Sequence, residues 1–119
     1  MKKVLIIDDE EPILRMYGDI LADYTVSKAR TGKEGIAVAK AEKPDLIYLD
    51  IIMPEMNGLD VLKALKEDDD TKNIPVVLLT NLPEEASKDK AVSLGALDYL
   101  VKVEWEPMKL IEKTKEILQ

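Results

Sequence analysis

Five short runs of aliphatic and β-branched residues recur along the chain, and each has the length of a β-strand. They occupy residues 4–7, 24–26, 46–49, 76–79 and 99–101. The first, third and fourth runs are apolar without alternation, which is typical of strands covered on both faces. The segment 24–28 is more mixed and is typical of a strand at the edge of a sheet.

Stretches with helical periodicity separate these runs. Pro12 and Pro107 each stand at a first-turn position ahead of an apolar stripe, and a third stripe opens at Gly58. A weaker second helix follows Gly32, and a fourth, near residues 83–94, has mostly alanines as apolar members and should be loosely anchored. Strand and helix alternate five times. We therefore predict a single α/β domain over residues 1–119, with helices on both faces of a parallel sheet.

The composition narrows the possible functions. The 119 residues carry 17 Lys+Arg against 24 Asp+Glu, for a net charge of −7, and no basic stripe suited to direct nucleic-acid binding. There is no Cys and no His, which excludes disulfides, thiolate nucleophiles, imidazole bases and the usual zinc sites. The opening apolar run is too short for a signal sequence or a membrane span, so we expect a cytoplasmic protein.

Five polar residues end or directly follow the predicted strands. Asp8 and Asp9 come after the first run, Asp50 after the third, Thr80 after the fourth and Lys102 after the fifth. Because the carboxyl ends of parallel strands open onto one crevice, we expect these residues to share a pocket. Each has an ordinary explanation by itself, as a turn, a helix cap or a surface amine. Together they indicate a functional site.

The charges in this pocket suggest its chemistry. Two carboxylates about 4 Å apart repel each other by roughly 4 kcal/mol at an effective dielectric constant near 20, so the cluster needs positive charge. Lys102 supplies part of it, and carboxylate oxygens without imidazole or thiolate are the ligands of a hard cation, Mg²⁺ or Mn²⁺. With Asp50 at the centre, the simplest reaction is attack of its oxygen on phosphorus to give an acyl phosphate.

Over residues 3–118 the chain resembles the CheY-like receiver domains of two-component response regulators. The resemblance rests on Asp8-Asp9-Glu10, on Thr80, on the D-x-x-M-P-x-M-x-G pattern of residues 50–58, and on residues 95–102. It implies a (βα)₅ flavodoxin-like sandwich with strand order 2-1-3-4-5. It also implies that the phosphoryl group comes from a phosphohistidine on a histidine kinase or a phosphotransfer protein, as in a phosphorelay.

The resemblance also implies a role for each site residue. Asp50 is the phosphoacceptor, Asp9 is a direct Mg²⁺ ligand, and Asp8 binds the ion directly or through water. The backbone carbonyl of Ile52 is a further ligand, and Lys102 contacts the phosphoryl oxygens.

Two further residues are implied to form the switch. Thr80 moves its hydroxyl toward the phosphoryl group and Tyr99 turns inward, which repacks the surface of the fourth helix, fifth strand and fifth helix. A packed strand aromatic is the alternative interpretation of Tyr99. The expected partner of this surface is an unknown downstream protein, and the chain is a monomer or a phosphorylation-dependent dimer. Such a domain phosphorylates itself and dephosphorylates slowly at most, without turnover as an enzyme.

Three features depart from the family pattern. Val103 stands where Pro usually follows the Lys, and we expect a trans bond there because a cis bond before a non-Pro residue costs about 3–4 kcal/mol. Asn81 is larger than the residue that usually follows the Thr, which narrows access to the site. Ile52 and Leu82 place apolar side chains beside the pocket, and we expect both to hinder the hydrolytic water and prolong phosphorylation.

Other functions compete with this one. A pseudo-receiver, which binds partners without being phosphorylated, is favoured by the departures at Asn81 and Val103 and opposed by the complete set of polar residues. A flavodoxin-like cofactor site needs a phosphate-binding loop where the acidic run would repel phosphate. A haloacid-dehalogenase-like phosphatase needs a second Asp at position 52, which is Ile. We expect Trp105 to pack at the start of the last helix. The length fits a stand-alone receiver and also a part of a longer regulator or of a hybrid kinase.

Overall fold

Strands and helices alternate along the chain as the hydrophobic pattern predicts. The computed structural model describes residues 1–104 and 106–119. The strands are β1 (Lys3–Ile7), β2 (Thr25–Ala29), β3 (Leu46–Leu49), β4 (Val76–Thr80) and β5 (Asp98–Val101). The helices are α1 (Glu11–Ile20), α2 (Gly32–Glu42), α3 (Gly58–Glu67), α4 (Glu84–Ser93) and α5 (Pro107–Leu118). A short 3₁₀ helix, Lys102–Glu104, directly follows β5.

The five strands form one parallel sheet in the order β2-β1-β3-β4-β5, which confirms the predicted topology. β1 lies between β2 and β3, and its last residue, Ile7, is aligned with Leu49 at the end of β3. Asp8 and Asp50 therefore leave the sheet side by side. Thr80 at the end of β4 is aligned with Val101, the residue before Lys102. The register of the sheet thus brings the polar strand ends to one edge.

Two apolar layers cover the sheet. On one face Leu5 and Ile7 belong to a core that includes residues of α2, α3 and α4. On the other face Val4 and Ile6 pack in a core with residues of α1 and α5. Both sets of alternating side chains are buried, which explains the unbroken apolar run in β1. β2 lies at an edge, begins one residue later than predicted, and keeps only Ala29 buried.

The helix starts follow the capping residues in the sequence. Proline occupies the first turn of α1 and α5, and the Asn57 side chain caps α3 by accepting hydrogen bonds from the N–H groups of Leu59 and Asp60. α4 has no side-chain cap at its start, and its buried residues are Ser87 and Ala91. Both features agree with the loose anchoring expected of this helix.

Two further expectations concern the region around β5. The Lys102–Val103 peptide bond is trans, as are all peptide bonds among the described residues. Trp105 lies outside the described residues, and its expected packing is not placed. Of the helices described, none is long and apolar enough to cross a membrane.

Gly58 lets the loop after β3 fold back against the site. Its N–H donates a hydrogen bond to the Ile51 carbonyl at 2.7 Å. A Cβ atom at position 58 would lie 2.0 Å from the backbone oxygen of Asp50, far inside van der Waals contact. The absence of a side chain at position 58 therefore allows the backbone of Asp50 to lie next to the start of α3.

We expect Gly58→Ala to destabilise the fold by at least about 2 kcal/mol, because backbone atoms must move to admit the methyl group. Gly18→Ala is the matched control, since a Cβ there would meet only the flexible end of Lys28. In the helix interior that change should be neutral or stabilising. Urea unfolding of both variants checks the prediction, and equal stabilities would contradict it.

Candidate functional site

The ammonium group of Lys102 joins two carboxylates at the carboxyl edge of the sheet. Its Nζ donates hydrogen bonds to Oδ2 of Asp8 at 2.5 Å and to Oδ2 of Asp50 at 2.9 Å. All three side chains are buried, and Lys102 is only 9% exposed. The ends of β1, β3 and β5 are thereby tied together by one charged cluster.

The other oxygen of each carboxylate is held by the backbone. Oδ1 of Asp8 accepts the N–H of Glu10 at 2.9 Å, and Oδ1 of Asp50 accepts the N–H of Ile51 at 2.7 Å. Both carboxylates therefore have fixed orientations. The buried charges have the hydrogen-bond partners that a low-dielectric environment requires.

Burial and pairing shift the ionisation of this cluster. Burial raises the pKa of the Asp8 carboxyl above its ordinary value, although the hydrogen bonds from Lys102 and from the Glu10 N–H oppose that shift. Burial by itself lowers the pKa of the Lys102 amine, but the hydrogen bonds and charges of Asp8 and Asp50 outweigh it and raise the pKa. Lys102 is therefore a permanent cation at neutral pH.

A cavity of about 240 Å³ opens beside the cluster. It is lined by Asp9, Glu10, Asp50, Ile52, Thr80, Asn81 and Lys102. Asp9 is half-buried, whereas the side chain of Ile52 is 62% exposed at the rim. Among the described residues that line the cavity, Lys102 alone is basic. The cavity therefore gives small molecules access to Asp50 in a negatively charged environment.

Four carboxylates are close enough to bind one metal ion. Oxygens of Asp8, Asp9, Glu10 and Asp50 all lie within 4.8 Å of one another. Such a set of oxygen donors, with more negative charge than Lys102 can balance, fits a hard divalent cation such as Mg²⁺. Glu10 was not among the predicted ligands, although it directly follows the two aspartates. Its carboxylate also lies 3.5 Å from Lys102 Nζ.

The two predicted switch residues lie next to this site. Thr80 is buried and lines the cavity, and its hydroxyl accepts the Leu82 N–H at 3.4 Å. Tyr99 is 2% exposed, and its hydroxyl donates to the Leu82 carbonyl at 2.8 Å. The ring is thus already turned inward while Asp50 is a carboxylate bound by Lys102.

The structure brings the five predicted polar residues together at one edge of the sheet. Asn81 and Ile52 line the cavity as expected, but Leu82 is not among the described residues that do. Its half-buried side chain packs against the core beneath α2, α3 and α4. The effect expected of Leu82 on the hydrolytic water stays a prediction.

Comparison with known proteins identifies the family. Residues 4–115 match the model of the response regulator receiver domain. The chain is 37% identical to the phosphate regulon transcriptional regulatory protein PhoB of Pseudomonas aeruginosa, over 99% of its own length and 52% of that protein. It is also 37% identical to the alkaline phosphatase synthesis transcriptional regulatory protein PhoP of Bacillus subtilis, over 99% of its own length and 49% of that protein. The chain thus spans about half the length of these relatives.

A solved structure extends the similarity to the whole fold. The chemotaxis protein CheY4 of Vibrio cholerae superposes with a TM-score of 0.90 at 32% sequence identity, and the match covers 98% of each chain. Sequence and fold agree over the same residues, including the strand ends that carry the acidic cluster and Lys102. The chain belongs to the receiver domain family of two-component response regulators.

Proposed function

We propose that this domain accepts a phosphoryl group on Asp50 from a phosphohistidine, with the help of a divalent cation. The observation that carries the proposal is the position of the Asp50 carboxylate, which lines an open cavity and contacts Lys102 at 2.9 Å. The 119 residues contain no His, so the donor imidazole lies outside them, on a histidine kinase or a phosphotransfer protein.

The reaction uses groups that the chain already positions. An oxygen of Asp50 forms a bond to phosphorus while the bond from phosphorus to the imidazole nitrogen breaks, which leaves an acyl phosphate and a neutral imidazole after proton uptake. Lys102 is within hydrogen-bonding distance of Asp50 and stabilises negative charge on the transferred group. Thr80 offers its hydroxyl from the cavity wall.

We assign the cation site to Asp8, Asp9 and Asp50, with the backbone carbonyl of Ile52 as a further ligand. The short distances between their carboxylate oxygens support this assignment. When bound, Mg²⁺ supplies positive charge to the oxygens of the transferring phosphoryl group. Lys102 then has a phosphoryl oxygen as a new partner for its charge.

Output is proposed to pass through protein contacts at the surface formed by α4, β5 and α5. Tyr99 in β5 is linked to Thr80 by hydrogen bonds through the backbone of Leu82. Movement of the Thr80 hydroxyl therefore changes the contacts between β5 and α4. The downstream target is another protein, and self-association on phosphorylation is one form that this contact takes.

Incubation with acetyl phosphate and Mg²⁺ should add the mass of one phosphoryl group to the wild-type protein. Asp50→Asn removes the attacking oxygen and should abolish the adduct. Asp45→Asn is the control and should leave the adduct intact, because Asp45 directly precedes β3 and lies outside the cavity. Intact-mass spectrometry checks both. Failure of the folded wild type to become labelled would favour a pseudo-receiver that acts by binding alone.

Mg²⁺ should raise the melting temperature by roughly 5 °C at about ten times its dissociation constant, since it binds the folded carboxylate cluster preferentially. The shift should be smaller in Asp9→Asn, which loses one ligand charge. Asp60→Asn, an exposed carboxylate on α3, serves as the control and should respond like the wild type. Equal shifts in all three proteins would refute the assigned cation site.

The acyl phosphate should persist for minutes or longer because Ile52 covers the rim of the cavity and hinders the hydrolytic water. Ile52→Ala should shorten its lifetime severalfold, and Leu97→Ala, an exposed apolar residue that does not line the cavity, should not. Decay of the phosphorylated mass after removal of acetyl phosphate measures this effect. A wild-type half-life of seconds would overturn the role given to Ile52.

A further inference from the structure

A chain of hydrogen bonds leads from the cavity to helix α4. The hydroxyl of Thr80 accepts the N–H of Leu82, and the carbonyl of Leu82 accepts the hydroxyl of Tyr99. The Tyr99 oxygen also lies 2.7 Å from Oγ of Ser87, in the second turn of α4. Four residues thus connect the wall of the cavity with a helix whose own apolar contacts are few.

The direction of the last hydrogen bond follows from the number of protons available. A phenol has one proton, and Tyr99 gives it to the Leu82 carbonyl. Ser87 is therefore the donor to the Tyr99 oxygen. Ser87 is only 7% exposed, so water has little access to replace its hydroxyl. Removal of this hydroxyl leaves the Tyr99 proton satisfied, which makes Ser87→Ala a clean test of one contact.

Helix α4 has little else to fix its position. Its buried residues are Ser87 and Ala91, and its N-terminus has no side-chain cap. Two other polar contacts described for α4 stay within the helix: Ser93 Oγ donates to the Lys90 carbonyl, and Lys88 pairs with Glu84. Ala91 packs in the core, and the hydrogen bond from Ser87 is the side-chain hydrogen bond described for α4 that reaches the sheet.

We propose that Ser87 is a positioning residue that holds Tyr99 buried while Asp50 is still an unmodified carboxylate bound by Lys102. The arrangement of α4 and β5 expected on phosphorylation is then favoured in advance, and Ser87 sets how strongly. The link to phosphorylation rests on the function proposed for Asp50. By thermodynamic linkage, a contact that stabilises buried Tyr99 also strengthens binding of a phosphoryl group or its mimic at the coupled site.

The first experiment measures the effect of the hydrogen bond between Ser87 and Tyr99 without any phosphoryl mimic. Ser87→Ala should speed amide hydrogen exchange in peptides covering residues 84–101 by about fivefold, the effect of losing one hydrogen bond in a local opening equilibrium. Ser93→Ala is the matched control, because it removes a serine hydroxyl from the same helix without touching Tyr99. It should leave exchange in β5 unchanged.

The second experiment measures the coupling to the site. In the presence of Mg²⁺, the concentration of beryllofluoride that half-saturates the protein should be about threefold to fivefold higher for Ser87→Ala than for the wild type. Ser93→Ala should bind as the wild type does. A protein in which Ser87 only stabilised the helix, with no connection to Tyr99 and Thr80, would show faster exchange but unchanged affinity.

The outcomes separate the two proposals. Unchanged hydrogen exchange in Ser87→Ala would show that Ser87 does not hold Tyr99 buried. Faster exchange with unchanged beryllofluoride affinity would show that this contact is not coupled to the site. If the wild type binds no beryllofluoride at all, the function proposed for Asp50 fails instead. Hydrogen exchange then still decides whether Ser87 holds Tyr99.

Discussion

The Lys102 ammonium contacts two buried carboxylates, and these contacts fix how the carboxyl ends of three strands lie relative to one another. Asp8 and Asp50 directly follow the adjacent strands β1 and β3, and Lys102, which follows the edge strand β5, contacts both. Removing one partner from a buried ion pair costs about 3–5 kcal/mol, because the remaining charge is left uncompensated. If the carboxyl ends of β1, β3 and β5 moved apart, a buried charge would lose its partner and the folded state would be destabilised.

This cluster is balanced only in part, and the imbalance is what makes it useful. Lys102 has one positive charge among four carboxylates that lie within metal-binding distance of one another. The surplus favours a divalent cation, and a cation together with Lys102 favours an anionic phosphoryl group. The loop that begins at Ile51 completes the site, since Gly58 allows it to pass close to the Asp50 backbone.

Much of this arrangement could be predicted from the sequence, because parallel strands force the residues that follow them to one edge. The unbroken apolar run of β1 and the polar residues Asp8 and Lys102 were sufficient signals. The hydrogen bond between Ser87 and Tyr99 was not predictable, because α4 has no apolar stripe to indicate which residues face the sheet. The role of Leu82 between the switch residues was not predictable either, because its backbone N–H and carbonyl make those contacts.

We propose that Lys102 and a divalent cation neutralise the same carboxylates, so removal of the Lys102 charge should change the affinity of the site for Mg²⁺. Lys102→Met keeps the length of the side chain and removes its charge. Isothermal titration calorimetry on the folded variant should show Mg²⁺ binding severalfold more tightly than to the wild type, because the ion no longer competes with a fixed ammonium group. Equal or weaker binding of Mg²⁺ in the variant would show that Lys102 and the ion do not compete for these carboxylates.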